Sequence, residues 1–254
     1  MAHLYYAESA GSSWQIGQNL EIDGSEARHA VKVARLRTGE EILIGDGQGT
    51  LAQCKVTQTD STRFLAEILA IDQEESPKVP VTLVQALAKG DRAERAVELA
   101  TEFGVSRIIP WQAERSVSRW NNPEKQQRGS QKWQRVAVEA AKQSLRGYIP
   151  TVTPLATSKT LVSMRTAEPA ELLIILEPGA EASLREVLHQ ENARDVQRTG
   201  VTVVVGPEGG LTEAEIAEFT NAGARSARLG QHVLRTSSAG AAALAVIHTT
   251  NHTW

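Results

Sequence analysis

The sequence predicts an α/β protein, with a mostly parallel sheet covered by helices and a small β-barrel in front of it. Three observations carry this. From residue 81 onward, apolar strands alternate with helical segments, the rhythm of strand–helix units in a parallel sheet. LLIILEP (172–178) and VTVVVGP (201–207) are continuous apolar runs, as expected of strands covered on both faces. Before residue 75, short alternating strands follow one another with a single helix among them, which suggests a barrel.

The elements follow in order. LYYAE (4–8), EILIGD (41–46), TLAQCKVTQT (50–59) and RFLAEILAID (63–72) alternate or are rich in β-formers, and GDGQG makes a glycine turn between the second and third. SEARHAVKVAR (25–35) reads as a helix with Ser25 as N-cap. The acidic, Pro-bearing EESPKVP (74–80) is the linker, so the expected domains are 1–75 and 79–254. VTLVQALA (81–88) is a buried-type strand. DRAERAVELATEF (91–103) is a helix with Asp91 as N-cap, Glu94 at capping-box spacing and Gly104 at its end. RIIPWQ (107–112) is a strand and QKWQRVAVEAAKQS (131–144) a helix. TEAEIAEFTNAG (212–223) carries a second capping box, Thr212 to Glu215. SSAGAAALAVIHTT (237–250) is a helix of small residues, able to pack backbone-close against a neighbour or a partner subunit.

Composition removes several classes. The chain has 254 residues, 41% of them apolar, and a net charge of −3, which excludes coating of nucleic acid by bulk charge. The total hides an uneven distribution. Residues 79–160 carry 13 Lys/Arg against 7 Asp/Glu, between two acidic flanks. Within this basic middle, Trp111, Trp120 and Trp133 interleave with cations including Arg115, Arg119, Lys132, Arg135, Lys142 and Arg146. Such a pattern is either an RNA-contacting surface or a solvated helical face over core tryptophans. No apolar run reaches the roughly 18–20 residues needed to cross a bilayer, and the N-terminus lacks a basic start with a long apolar stretch. The one cysteine, Cys54, reads as a structural thiol, and its solitude fits a reducing, cytoplasmic setting. His248 and His252 have metal-ligand spacing but no third ligand, so they read as a surface pair and no metal is expected. His29 reads as structural or RNA-facing.

The chemistry-bearing segments lie near the C-terminus. VTVVV runs into Gly206-Pro207-Glu208-Gly209-Gly210-Leu211 and then a capped helix, the strand–loop–helix place where open α/β sheets bind ligands. Neither GxxxxGK[ST] nor GxGxxG is present, so a ligand without a gripped pyrophosphate suits the loop better. A second loop, Arg228 to Ser238, leads into the small-residue helix. A third, Leu176-Glu177-Pro178-Gly179, follows an apolar strand. Three such strand ends on one sheet edge would make one pocket.

VVVGPEGGLTEAEI followed by RLGQHVLRTSSAGAAAL resembles the paired signatures of the ribosomal RNA small-subunit (uracil-N3) methyltransferases, a SPOUT-class family. The resemblance covers most of the chain. It includes QALAKGDRAERAVELATEFGVSRIIPWQAERSV, KWQRVAVEAAKQSLRGYIP and RHAVKVARLRTGEEILIGDG. The chain departs from the family pattern at Phe103, Lys142 and Ser237; the last weakens any role for an acid after Leu-Arg-Thr.

The resemblance implies a PUA-like, RNA-holding barrel over 1–75 and a SPOUT methyltransferase domain over 79–254. In that domain a deep trefoil knot would be formed by 172–180, 201–211 and 228–240. It implies S-adenosyl-L-methionine as cofactor, held by Leu176 and Glu177, by Gly206, Pro207, Gly209 and Gly210, and by Leu229, Gly230, Val233, Leu234, Arg235 and Thr236. It implies methylation of N3 of a uridine in 16S rRNA, with free rRNA or the assembled small ribosomal subunit as partner, and a homodimer. For the chemistry, Arg235 would stabilise charge on the uracil, and Glu208 is either a base or an organiser of the loop backbone. Arg35, Lys89, Arg115, Gln143 and Arg146 are the implied RNA contacts. The alternatives are a non-catalytic RNA-binding protein with the same fold and a methyltransferase acting on another RNA position.

Overall fold

The computed structural model describes residues 3–7, 13–168, 170–193 and 198–254. The chain divides into two compact units. The first comprises Met1–Ser76 with Ala141–Ile149, and the second comprises Pro77–Ala140 with Pro150–Trp254.

The first unit is a five-stranded sheet of β1 (Leu4–Tyr6), β2 (Asn19–Ile22), β3 (Glu41–Gly45), β4 (Thr50–Thr59) and β5 (Phe64–Gln73), in the order β1-β3-β4-β5-β2. All neighbours are antiparallel except β1 and β3. Register shifts at Gln53/Cys54 and Val56/Gln58 mark β-bulges, which bend the long β4–β5 pair around its core. That core gathers Leu20, Ile22, Ile42, Ile44, Phe64 and Ile68 from alternate strand positions. β2 is absent from the sequence-based expectation because NLEI is short and offers only two inward apolar residues. The helix expected over 25–35 is instead a short α1 (Gly24–Arg28) continued by a π-turn, His29–Val33. Its N-cap is Asp23, not Ser25, and no side chain caps it. His29 is exposed.

A segment far along the chain completes this unit. Ile149 N–H donates to Gly47 C=O at 3.0 Å, and Gly49 N–H donates to Gly147 C=O at 3.0 Å. Gly147 N–H reaches the Glu74 carboxylate at 2.6 Å, and Lys142 pairs with Glu26 at 3.0 Å. The GDGQG turn is therefore a docking ledge as well as a hairpin. Gly49 has φ +107°, and a Cβ there would meet the Tyr148 ring end at 2.5 Å.

The second unit is a six-stranded parallel sheet. Its strands are β6 (Val81–Ala86), β7 (Arg107–Trp111), β8 (Thr151–Val152), β9 (Glu171–Leu176), β10 (Gly200–Val205) and β11 (Arg225–Ala227), in the order β11-β9-β10-β6-β7-β8. The helices are α2 (Arg92–Glu102), α3 (Pro123–Gln143), α4 (Ser158–Ala167), α5 (Leu184–Asn192), α6 (Glu213–Asn221) and α7 (Thr236–Thr250). The last residues of α3, from Ala141, are counted with the first unit. Side chains alternate between two cores. Leu83, Ile108, Ile174 and Val203 face the layer that contains Val97, Leu188 and Leu244. Val84, Ile109, Ile175 and Val204 face the layer that contains Leu161 and Phe219. Double coverage explains the unbroken burial of β6 and β10, and each fully buried Leu or Ile contributes about 1.5–3 kcal/mol.

Caps decide the helix boundaries. Thr212–Glu215 forms the expected capping box, and Ser183–Glu186 forms another that the sequence reading left unassigned. Asp91 stands at the N-cap of α2 at φ −90°, ψ 0°, outside the extended conformation of a capping residue, and makes no side-chain bond, while Glu94 pairs with Lys132 at 2.6 Å. Gly104 (φ +86°) ends that helix as expected. The small residues of α7 pack against α2 and the sheet, where a Cβ on Gly240 would meet Leu83 at 3.0 Å. His248 is buried and stacks on Trp254. Among the described residues no cluster of His, Cys, Asp or Glu could hold a metal, and no helix is long and apolar enough to cross a membrane.

Gly49→Ala should lower stability by about 1–3 kcal/mol, read as a lower denaturation midpoint, because alanine pays for a positive φ while displacing Tyr148. Burial pushes the Cys54 thiol up to about 12. The thiolate is therefore absent at pH 8, and a disulfide reagent should leave native protein unlabelled and label it only once it is unfolded.

Candidate active site

β10 inserts between β9 and β6, so the C-terminal ends of the three strands lie side by side, at the reversal of strand order where α/β sheets bind ligands. The loops after β9, β10 and β11 converge there on a cleft of about 600 Å³. Its base is apolar, from Leu176, Val205, Leu229 and Ala239, and its rim is polar, from Glu177, Glu208, His232 and Arg235.

One hydroxyl ties these loops together. Thr236 Oγ1, in the first turn of α7, donates to Gly206 C=O at 2.8 Å and accepts from Gln85 Nε2 at 2.9 Å. Gln85 is fully buried in the middle of the sheet. Arg235, the N-cap residue of α7, is exposed and lines the cleft.

The glycine loop is shaped by close approach. A Cβ on Gly206 would meet Leu211 Cδ1 at 2.6 Å, whereas Gly210, at φ +69°, has open space in its Cβ direction. Gly210 N–H donates to Pro207 C=O at 2.9 Å, closing a turn. Glu215 does more than cap α6, because its buried carboxylate also accepts from Glu114 N–H at 2.8 Å. Arg115 donates to the carbonyls of Gly209 and Leu211, both at 3.1 Å. The loop after β7 is thus fastened to the glycine loop from both directions.

Glu208 is engaged in the same way. Its carboxylate accepts from Arg92 at 2.7 Å and from Lys89 N–H at 3.1 Å. Partial burial alone would raise its pKa. The Arg92 bond and the backbone donors outweigh that and hold it below the usual carboxylate range. A carboxylate so stabilised is a poor proton acceptor.

Of the residues expected to hold a cofactor, Leu176, Glu177, Gly206, Pro207 and Gly210 line the cleft, as do Leu229, Gly230, Val233, Leu234, Arg235 and Thr236. Gly209 does not; its free side faces Arg115. The sequence reading missed Arg92 and Ile216, which enter the lining from α2 and α6. Arg92 reads as an ordinary surface position of a helix, and only the fold brings it to Glu208. The expected RNA contacts fall in two groups. Lys89 and Arg115 are exposed beside the glycine loop, with Arg115 already bonded to it. Arg35 (exposed, φ +58°), Gln143 and Arg146 belong to the first unit. Arg146 is half-buried, and desolvation pushes its pKa down against the opposing pull of Glu74 and Tyr6.

The interleaved tryptophans resolve towards the core. Trp111 is fully buried edge-on to Phe219, and Trp133 is buried edge-on to Trp120, which stays half-buried. Several of the basic residues are paired: Lys132 with Glu94, Arg128 with Glu124 and Lys142 with Glu26.

Comparison with known proteins agrees with this geometry. Residues 74–248 match the RNA methyltransferase domain family, and residues 22–71 match the RNA methyltransferase PUA domain. The ribosomal RNA small subunit methyltransferase E of Mycobacterium bovis is 37% identical over 254 residues, which span all of this chain and 94% of that protein. The Bacillus subtilis protein of the same name is 28% identical over 96% of this chain and 94% of its own length. The crystal structure of the Neisseria gonorrhoeae ribosomal RNA small subunit methyltransferase E bound to S-adenosyl methionine superposes with a TM-score of 0.85, at 27% identity, over 98% of each chain. With its parallel sheet, its PUA domain and its glycine-loop cleft, the chain belongs to the ribosomal RNA small subunit methyltransferase E family.

Proposed function

We propose that this protein transfers a methyl group from S-adenosyl-L-methionine to N3 of a specific uridine in 16S rRNA. The observation that carries the reading is the convergence of three strand-end loops on one cleft with Arg235 at its rim. The residues fit the donor. The cleft's volume of about 600 Å³ is that of a small-molecule site. Its apolar base suits an adenine ring, and the loops present backbone groups for the ring's edge. The open Cβ direction of Gly210 leaves space that any other residue would fill.

Bound there, S-adenosylmethionine supplies a methyl group bonded to a positively charged sulfur. The chain's own residues then position and polarise. Uracil N3 becomes a nucleophile as its weakly acidic proton passes to solvent water. Arg235, exposed at the cleft rim, pairs with the negative charge that spreads to the uracil oxygens and so lowers the cost of that loss. Glu208 organises the loop through Arg92 and Lys89 and does not take the proton. Positioning two reactants in one site supplies much of the remaining acceleration. Val233 is 75% exposed beside the cleft and Leu234 is 42% exposed, which supports a homodimer in which a second copy covers them. The rRNA is met either free or within the assembled subunit, with Arg35, Lys89, Gln143 and Arg146 as contacts.

Mass spectrometry of rRNA nucleosides from cells lacking the protein tests the reading: 3-methyluridine should disappear from 16S rRNA, and its persistence overturns the assignment. Arg235→Ala should keep cofactor affinity in calorimetry while kcat falls by about 100-fold or more. Gly210→Val should abolish cofactor binding by filling the cleft; unchanged affinity would remove the glycine loop from the site.

A further inference from the structure

We propose that a second, smaller cavity is a reading pocket for one unstacked base of the substrate RNA, a neighbour of the methylated nucleotide. The inference rests on the RNA-methylating function proposed above. The cavity, about 200 Å³, lies among the segment after β6, the start of α2 and the middle of α3, with Leu87, Ala93, Trp120 and Trp133 among its walls. It shares no lining residue with the cleft. Arg92 faces the cleft, whereas Gly90, Ala93 and Glu94 line the cavity, so the 89–93 turn divides the two.

Size and chemistry select the occupant. The cavity holds several waters at roughly 30 Å³ each but falls below the roughly 300–1,000 Å³ of sites for larger ligands; it admits one ring system and excludes a whole nucleotide. Its aromatic wall is rigid: Trp120 and Trp133 meet edge to face at 5.5 Å and 73°. The Trp120 ring also lies directly over Gly129, where no Cβ would fit. The polar wall is the Lys132 ammonium, 2.6 Å from the Glu94 carboxylate, with Ser118 beside them. Ammonium donates and carboxylate accepts, so together they match a base edge that sets an acceptor next to a donor. A phosphate suits the cavity poorly, because Glu94 already neutralises the ammonium and would face the anion. Unstacked bases held on aromatic rings and hydrogen-bonded along their edges are how sequence is read in RNA.

The test uses Ser118→Phe, which fills the cavity, and Glu94→Gln, which removes half of the polar reader. Methylation kinetics are measured on small ribosomal subunits from cells lacking the enzyme, wild type or with single substitutions at bases flanking the target. S-adenosylmethionine affinity is measured on the same preparations. S118F should raise KM for the subunit by about tenfold or more, the loss of one stacked base, with cofactor affinity unchanged. E94Q should shift the preference at one flanking position by about fivefold or more. Wild-type KM in S118F together with wild-type base preference in E94Q overturns the pocket while leaving the function intact. If S118F fails to fold, seen as loss of its thermal transition, E94Q decides alone, and unchanged preference overturns the proposal. A wild-type protein that neither binds the cofactor nor methylates the subunits overturns both the function and the pocket.

Discussion

The Thr236 hydroxyl holds the site in register. It donates to Gly206 C=O and accepts from Gln85, joining residues 30 and 151 positions away in sequence. It links the glycine loop, the start of α7 and the end of β6. With it, the polar start of α7 is fixed against the loop, and Arg235 is delivered to the cleft rim. Anchoring one end of the network on a side chain buried inside the sheet makes the arrangement as rigid as the sheet itself.

Around that hub, side chains with apparent chemical potential serve geometry instead. Glu208, Glu215 and Arg115 each bond backbone groups of the loops that build the cleft. Their hydrogen bonds hold backbone in place. Arg235, by contrast, stands exposed at the cleft rim.

The basic middle of the sequence separates along the same lines. Its tryptophans are structural, and its lysines and arginines are partly paired. Lys132 and Glu94 pair with each other, and the capping box expected at Asp91 is not formed. That pair places a donor and an acceptor on the wall of a small cavity. The Ala141–Ile149 segment, which begins within α3, belongs to the first unit and bonds to its glycine turn.

Much was legible from sequence because it is local. The Thr212–Glu215 box, the glycine that stops α2 and the unbroken apolar runs of β9 and β10 are all consequences of short-range backbone chemistry and of burial on both faces. Of the residues named on the glycine-loop and LGxxVLRT strings, all but Gly209 line the cleft. Short strands such as β2 and β11, and the helix start at Asp23, carried too little periodicity to be read. What the sequence could not determine is everything that depends on distance through space: Arg92 at Glu208, Glu94 at Lys132, Tyr148 over Gly49, and Gln85 under Thr236. The physical reason is that a charge, a hydroxyl or an absent Cβ has no preferred partner along the chain. Only strand order, with β10 inserted between β9 and β6, decides which of them come within hydrogen-bonding reach.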